Sequence, residues 1–178
     1  AVKAASQSNM PIYAECGGLM YLVRELVSEN NHHQMAGVFD CSVAMEKRPV
    51  GHGYAIQRAT ADNPFFAEGA RVVGHEFHHF PDEAPAVRCG FATERGKGIA
   101  EIDGVLSDGL VSQRPLATYH HFHAASSDEW ARNFVALARD GYTEESGEVY
   151  GFSLVYSGNF AAEIEVDCMA STRILMGL

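Results

Sequence analysis

The sequence predicts an α/β domain followed by an antiparallel β meander, on three observations. First, a short apolar run (Ile12 to Ala14) leads through Glu15-Cys16-Gly17-Gly18 into apolar residues at helical spacing, Leu19, Leu22, Val23 and Leu26. That pattern reads as strand, sharp turn and helix. Second, the short strand Leu116 to Tyr119 runs into His120-His121-Phe122-His123 and then into Trp130, Phe134, Leu137 and Ala138, again at helical spacing. Third, beyond Asp140 the chain alternates apolar and polar residues with a period of two.

Taken in order, Ala1 to Asn9 reads as the end of a helix, and Pro11 to Leu26 as the strand, elbow and helix just described. Val27 to Gln34 is polar and reads as a loop. From Met35 to Thr93 the pattern is β-rich, with short runs at Gly37 to Phe39, Gly53 to Ile56 and Arg71 to Val73. Asp62-Asn63-Pro64 is a turn signal, and Glu94 to Gly98 reads as a charged hairpin. Ser126 or Ser127 caps the helix after the histidines, with Glu129 in its first turn. Val149 to Tyr156, Phe160 to Val166 and Thr172 to Met176 read as strands of the meander, with Ser157-Gly158-Asn159 turning between the first two. The division expected is residues 1–139 as the α/β domain and 140–178 as a β-strand tail.

With 178 residues, 47% of them hydrophobic, the chain can bury a real core. A net charge of −10 argues against a nucleic-acid surface. No apolar run approaches a membrane span, and no secretion signal stands out. The four cysteines (Cys16, Cys41, Cys89, Cys168) are scattered, which fits a reduced cytoplasmic protein rather than a disulfide scaffold. Few residues precede the first strand, so the parallel part of the sheet is expected to be truncated.

Cys16 is the candidate nucleophile. Gly17 and Gly18 relieve the crowding of a tight turn, and the start of the following helix brings unpaired N–H groups and partial positive charge to the sulfur, favouring thiolate. A small buried cysteine is the alternative. A cysteine nucleophile needs a base, and strand ends of an α/β sheet gather on one edge. Alternation along an extended segment puts His121 and His123 on one face and His120 on the other. His121 is the expected base, with His123 in reserve. A second cluster, Gly74-His75-Glu76-Phe77-His78-His79, contains H-E-x-x-H. That spacing holds zinc only on a helix. No long amphipathic helix surrounds it and no third ligand is marked, so His75, Glu76 and His78 are expected to shape a small-molecule site, and no metal is expected. Gly96-Lys97-Gly98 lacks the pattern of a phosphate loop.

Ala14-Glu15-Cys16-Gly17-Gly18-Leu19-Met20-Tyr21 resembles the nucleophile motif of cobyrinic acid a,c-diamide synthases. Gly53-Tyr54, Asp62 to Phe66, Gly74 to His78, Arg95 to Ile99 and Ala117 to Ala124 agree with the same family in the same order. The resemblance covers about residues 1–139, and the wider group includes enzymes acting on nickel-sirohydrochlorin and related tetrapyrroles. It implies a truncated class I glutamine amidotransferase-like domain of flavodoxin-like form, in which Cys16 attacks the amide of glutamine. His121, in a T-Y-x-H pattern, would be the catalytic histidine, and the N–H of Gly17 would help to hold the oxyanion. It also implies that ATP and Mg belong to a separate synthetase domain absent from this chain, through which a corrinoid or related tetrapyrrole would be met. The family's earlier strands and glycine-rich loop do not appear here, which implies a fragment whose independent activity is in question.

The tail, Val149 to Phe160 with Thr172 to Gly177, resembles the N-terminal β-sandwich domain of bacterial α-galactosidases, whose catalytic carboxylates lie in a different domain. A junction is expected between Asp140 and Gly147. The alternative readings are therefore a non-catalytic fragment and a carbohydrate-related β module.

Overall fold

The computed structural model describes residues 1–29, 31–45, 50–78, 88–122, 128–140, 152–154, 163–168 and 172–177. Helix α1 (Val2–Gln7) leads to strand β1 (Ile12–Glu15), and helix α2 (Gly17–Leu22) follows after one residue, Cys16. Strands β2 (Val23–Ser28), β3 (Asn31–Gln34), β4 (Phe39–Ala44), β5 (Gly51–Ala59), β6 (Arg71–His78) and β7 (Arg88–Arg95) come next. They are succeeded by β8 (Ala100–Ile102), β9 (Val105–Val111), β10 (Leu116–Thr118) and β11 (His120–His121). Helix α3 (Asp128–Asp140) precedes β12 (Phe152–Leu154), β13 (Glu163–Cys168) and β14 (Thr172–Gly177).

The main sheet has the order β11-β6-β5-β7-β9-β10-β1-β12, with β8 beside β9. It is a mixed sheet flanked by helices, the expected α/β architecture. Its parallel part is the trio β10-β1-β12, and its other described pairings are antiparallel. All four residues of β1 are buried, as a strand covered on both faces requires. Alternation along β1 splits the core in two. Ile12 and Ala14 join Leu19, Leu22, Val23, Phe39 and Val43. Tyr13 joins Phe65, Phe66, Phe91 and Leu116, against which Trp130, Phe134 and Leu137 of α3 pack. The helical face expected from those three residues is thus the face that α3 buries.

Several local expectations need correction. The elbow helix stops at Leu22, not Leu26, because Val23 turns to φ −67°, ψ 171°. A six-residue helix opening with two glycines has little stability of its own. The β-branched Val23 and Val27 gain more in β2, which is parallel to β4 and antiparallel to β3. The stretch read as a polar loop, Val27 to Gln34, therefore forms the end of β2 and all of β3. Every residue of β3 is exposed, so no alternation marks it; its ladder with β2 alone makes it a strand. The turn at 96–98 exists, but β8 beyond it pairs with β9 rather than returning on β7. The tight hairpin lies at Asp103-Gly104, with φ of 51° and 80° between the paired Ile102 and Val105, the backbone that Asp-Gly favours.

In the tail, β13 and β14 form an antiparallel pair, as expected. β12 instead lies parallel to β1, Ile12 opposite Phe152, where it covers an edge that β1 would otherwise leave open. Ser126, Ser127, the turn at 157–159 and the junction from 141 to 147 lie outside the described residues.

Two predictions follow from this packing. A Cβ at Gly74 would sit 1.9 Å from the His121 carbonyl oxygen and 2.7 Å from His120 Nε2. Gly74→Ala should therefore lower stability by about 1–3 kcal/mol in urea melts, by pushing β11 off β6. His120 is fully buried. Burial, then the charge of His121, pushes its pKa down to about 4, against the attraction of Glu76. The unfolded chain takes up this proton near pH 6.5 and the folded one only near 4, so the stability His120 confers is complete above 6.5 and disappears as the pH falls to about 4. The loss should be on the order of 3 kcal/mol, and His120→Gln should flatten that part of the stability–pH profile.

Candidate active site

The site is built at the end of β1. Cys16 has φ 50°, ψ −108°, a conformation costly for any residue with a Cβ, by about 1–3 kcal/mol. It is held there from both sides. Its N–H donates to the Thr118 carbonyl of β10 at 2.8 Å, and its own carbonyl accepts the N–H of Met20 at 3.2 Å. Gly18, Leu19 and Leu22 are buried and anchor α2 directly behind the turn. The expected elbow is therefore present, with a strained cysteine at its apex. Cys16 is partly exposed, whereas Cys41 and Cys89 are buried. Burial first, with nearby Asp40, pushes the Cys41 thiol up to about 11 despite Arg24. Burial and Asp108 push Cys89 up to about 12. Cys16 is the one cysteine of these three placed to react.

His121 reaches the sulfur from β11. That strand pairs with β6, His121 opposite His75 and His120 opposite Glu76. Alternation then sends His121 toward Cys16 and His120 into the interior. His121 hydrogen-bonds Cys16, its Nδ1 lies 3.2 Å from Glu15 Oε2, and its ring stacks on His75 with centroids 4.9 Å apart and planes 18° apart. Burial, the largest single effect, pushes its pKa down, but the hydrogen bonds and negative charges of Cys16 and Glu15 together lift it to about 9. His75 goes the other way, lowered by burial and by the charge of His121.

The remaining sequence-named residues separate by face. Gly17 is the first residue of α2, next to the sulfur-bearing residue. Phe77, on the outer face of β6 with His75, places its carbonyl oxygen 3.9 Å from Cys16 Sγ. Glu76 and His78 lie on the inner face. Glu76 accepts the N–H of Lys97 at 2.7 Å and that of Gly98 at 3.3 Å, and His78 Nε2 lies 3.7 Å from Glu76 Oε2. Burial raises the Glu76 carboxyl, but His78 and the two backbone donors outweigh it and hold it below its ordinary value. This pair braces the 96–98 turn from inside the sheet. Because the segment is a strand, His75 is on the opposite face from Glu76 and His78, so the helical spacing of a zinc protease is not formed. His79 and His123 lie outside the described residues. Among the described residues no group of three or more His, Cys, Asp or Glu is placed to hold a metal ion. An open cavity of about 470 Å³ beside the site is lined by His52, Gly53, Tyr54, His75, Glu76 and Phe77.

Sequence reasoning missed Glu15. Along the chain it is only one residue of the segment around Cys16, yet it is buried and bonded to the histidine. A charged residue closing an otherwise apolar, fully buried strand was the available signal.

Comparison with known proteins finds two family models. One, described as a CobB/CobQ-like glutamine amidotransferase domain, matches residues 1–129. The other, the glycosyl hydrolase family 36 N-terminal domain, matches residues 122–178, the part in which the second resemblance was expected. Similar curated proteins are cobyrinate a,c-diamide synthases. That of Caldanaerobacter subterraneus subsp. tengcongensis is 36% identical over 138 residues, covering 75% of this chain and 29% of that protein. That of Methanothermobacter thermautotrophicus is 39% identical over 129 residues, covering 72% and 27%. That of Salmonella typhimurium is 36% identical over 141 residues, covering 78% and 30%. The chain thus spans less than a third of the length of these relatives. No helix among the described residues is long and apolar enough to cross a membrane.

The geometry makes His121 an unusually basic imidazole. Its ring C–H resonances should titrate near pH 9 by NMR, and Cys16→Ala, which removes one of its two acidic partners, should lower that midpoint.

Proposed function

This chain belongs to the CobB/CobQ-like glutamine amidotransferase domain family, and from that premise we propose that it is the glutaminase part of an ATP-dependent synthase that converts carboxylates of a cobyrinate-type tetrapyrrole to amides. The observation that carries the reading is the contact between Cys16 at its strained elbow and His121, backed by Glu15. A thiol beside an imidazole whose other nitrogen meets a carboxylate suits covalent catalysis by a nucleophile with an oriented base.

In the proposed reaction His121, which keeps its proton to about pH 9, stands as the imidazolium beside Cys16, and the sulfur attacks the side-chain carbonyl carbon of glutamine as the thiolate. The oxyanion that forms is received by the N–H of Gly17. His121 gives its proton to the departing nitrogen, which leaves as ammonia, and a thioester remains on Cys16. Water, giving a proton to His121, then opens the thioester to glutamate and frees the thiolate beside the imidazolium. His75 stacks on the imidazole and limits its rotation, and the cavity beside it has room for an amino acid. The ammonia would be captured by a carboxylate activated with ATP and Mg in the synthetase region of a longer protein, where the tetrapyrrole is bound. Support for the tetrapyrrole comes from relatives named cobyrinate a,c-diamide synthase. The carbohydrate-module alternative is not favoured, since the amidotransferase match takes in the whole Cys16–His121 site.

The test is Cys16→Ala in the full-length protein, with glutamine and ammonia compared as nitrogen donors. Glutamine-dependent amidation should fall by more than about 10³-fold, while ammonia at high concentration still supports turnover. Glutamine-dependent turnover at the normal rate would remove Cys16 from the reaction.

A further inference from the structure

We infer that Glu15 is the positioning residue of this site: its carboxylate binds the Nδ1–H of His121, turns Nε2 to the Cys16 thiol, and is itself fixed by Tyr13. The inference rests on the glutaminase reading and deepens it. The carboxylate is 6% exposed, and both of its oxygens are engaged: Oε2 lies 3.2 Å from His121 Nδ1, and Oε1 accepts the Tyr13 hydroxyl at 2.8 Å. Tyr13 and Glu15 are two residues apart on β1 and so share a face. With Nδ1 committed to Glu15, the proton exchanged with sulfur moves only through Nε2. Glu15 accepts its hydrogen bond throughout the cycle and takes no proton.

The support for Glu15 extends well behind it. The Tyr13 ring is buried and edge-on to Phe65, Phe122 and Trp130, with centroids 5.5, 5.8 and 5.1 Å away. Phe65 is fixed in turn. Asn63 Oδ1 accepts the N–H of Phe65 at 3.0 Å and that of Phe66 at 3.1 Å, and its Nδ2 donates to the Gly90 carbonyl at 2.9 Å. Asn133 of α3 donates to the Phe65 carbonyl at 2.8 Å. A continuous line of packed and bonded groups thus runs from α3 and the 63–66 turn through Tyr13 and Glu15 to the base. Because Glu15 immediately precedes Cys16, the orienting group and the nucleophile are tied by one peptide bond. The groups that face His121 are Glu15 at the end of β1, Cys16 at the elbow after it and His75 from β6, with His120 its neighbour on β11.

The experiment uses the full-length protein and follows glutamine hydrolysis. Glu15→Gln keeps the size of the side chain and removes its charge. Its kcat should fall at least about tenfold with KM for glutamine within about threefold, and the His121 ring signals should titrate at least one pH unit below wild type. Glu15→Asp, which retains the charge on a shorter stem, should recover part of both losses. A Glu15→Gln enzyme with wild-type kcat and an unmoved His121 midpoint overturns the inference. Tyr13→Phe keeps the ring in its cage and deletes only the hydroxyl. Its kcat should drop about two- to tenfold; should Glu15→Gln fail to fold, wild-type kcat in Tyr13→Phe overturns the inference instead. Cys16→Ala, run in parallel, separates the two readings: surviving glutamine hydrolysis there sinks the glutaminase assignment, whereas its loss beside a fully active Glu15→Gln sinks only the role of Glu15.

Discussion

The register of β1 on β10 is the constraint on which this site depends. Glu15 lies opposite Thr118, and the Cys16 N–H donates to the Thr118 carbonyl at 2.8 Å. That bond holds the cysteine one step past the last paired residue of its strand, in a backbone conformation it would otherwise leave. It also sets how far along β10 and β11 the chain must run before His121 appears. A slip of one residue would turn Tyr13 and Glu15 to the other face of the sheet, away from both the aromatic cage and the histidine. Burial on both faces of β1 makes such a slip expensive, so the same hydrophobic packing that stabilises the sheet also aligns its chemistry.

Charge is sorted within a small space by environment. Three histidines, His75, His120 and His121, cluster at the β6–β11 pair, and they cannot all be cationic. His121 has Glu15 and Cys16 as partners and keeps its proton to about 9. His120 is buried beside it and is driven to about 4, and His75 is lowered by the same neighbour. The result is one imidazole that holds its proton beside the sulfur and two that give theirs up more readily around it. Identical side chains acquire different roles because alternation along two short strands gives them different neighbours.

The opposite side of the sheet supplies rigidity. Glu76 collects two backbone N–H groups of the 97–98 turn, and Gly74 permits an approach of β11 that no Cβ would allow. α3 and the 63–66 turn hold Tyr13 from behind. None of these residues touches the sulfur; Gly74 fixes how close β11 comes to β6, and Tyr13 holds the Glu15 carboxylate that bonds His121, so a short two-stranded pairing such as β6–β11 holds its imidazole in one orientation.

Much of this was legible along the chain. The elbow at Cys16, the placing of His121 beside it, the amphipathic face of α3 and the turn at Asp62-Asn63-Pro64 all rest on patterns a few residues long: two glycines after a cysteine, alternation, apolar spacing of three and four. By itself the sequence determined those elements and the pairing of a thiol with an imidazole. Only the tertiary structure decided that the elbow helix ends at Leu22, that the polar Asn31–Gln34 is a strand, that β12 lies on β1, and that Glu15 sits behind the histidine. Asn31–Gln34 is a strand through its ladder with the neighbouring β2 and the other three depend on partners distant in the chain, and the local periodicity of a segment carries no information about which edge, carbonyl or imidazole will complete it.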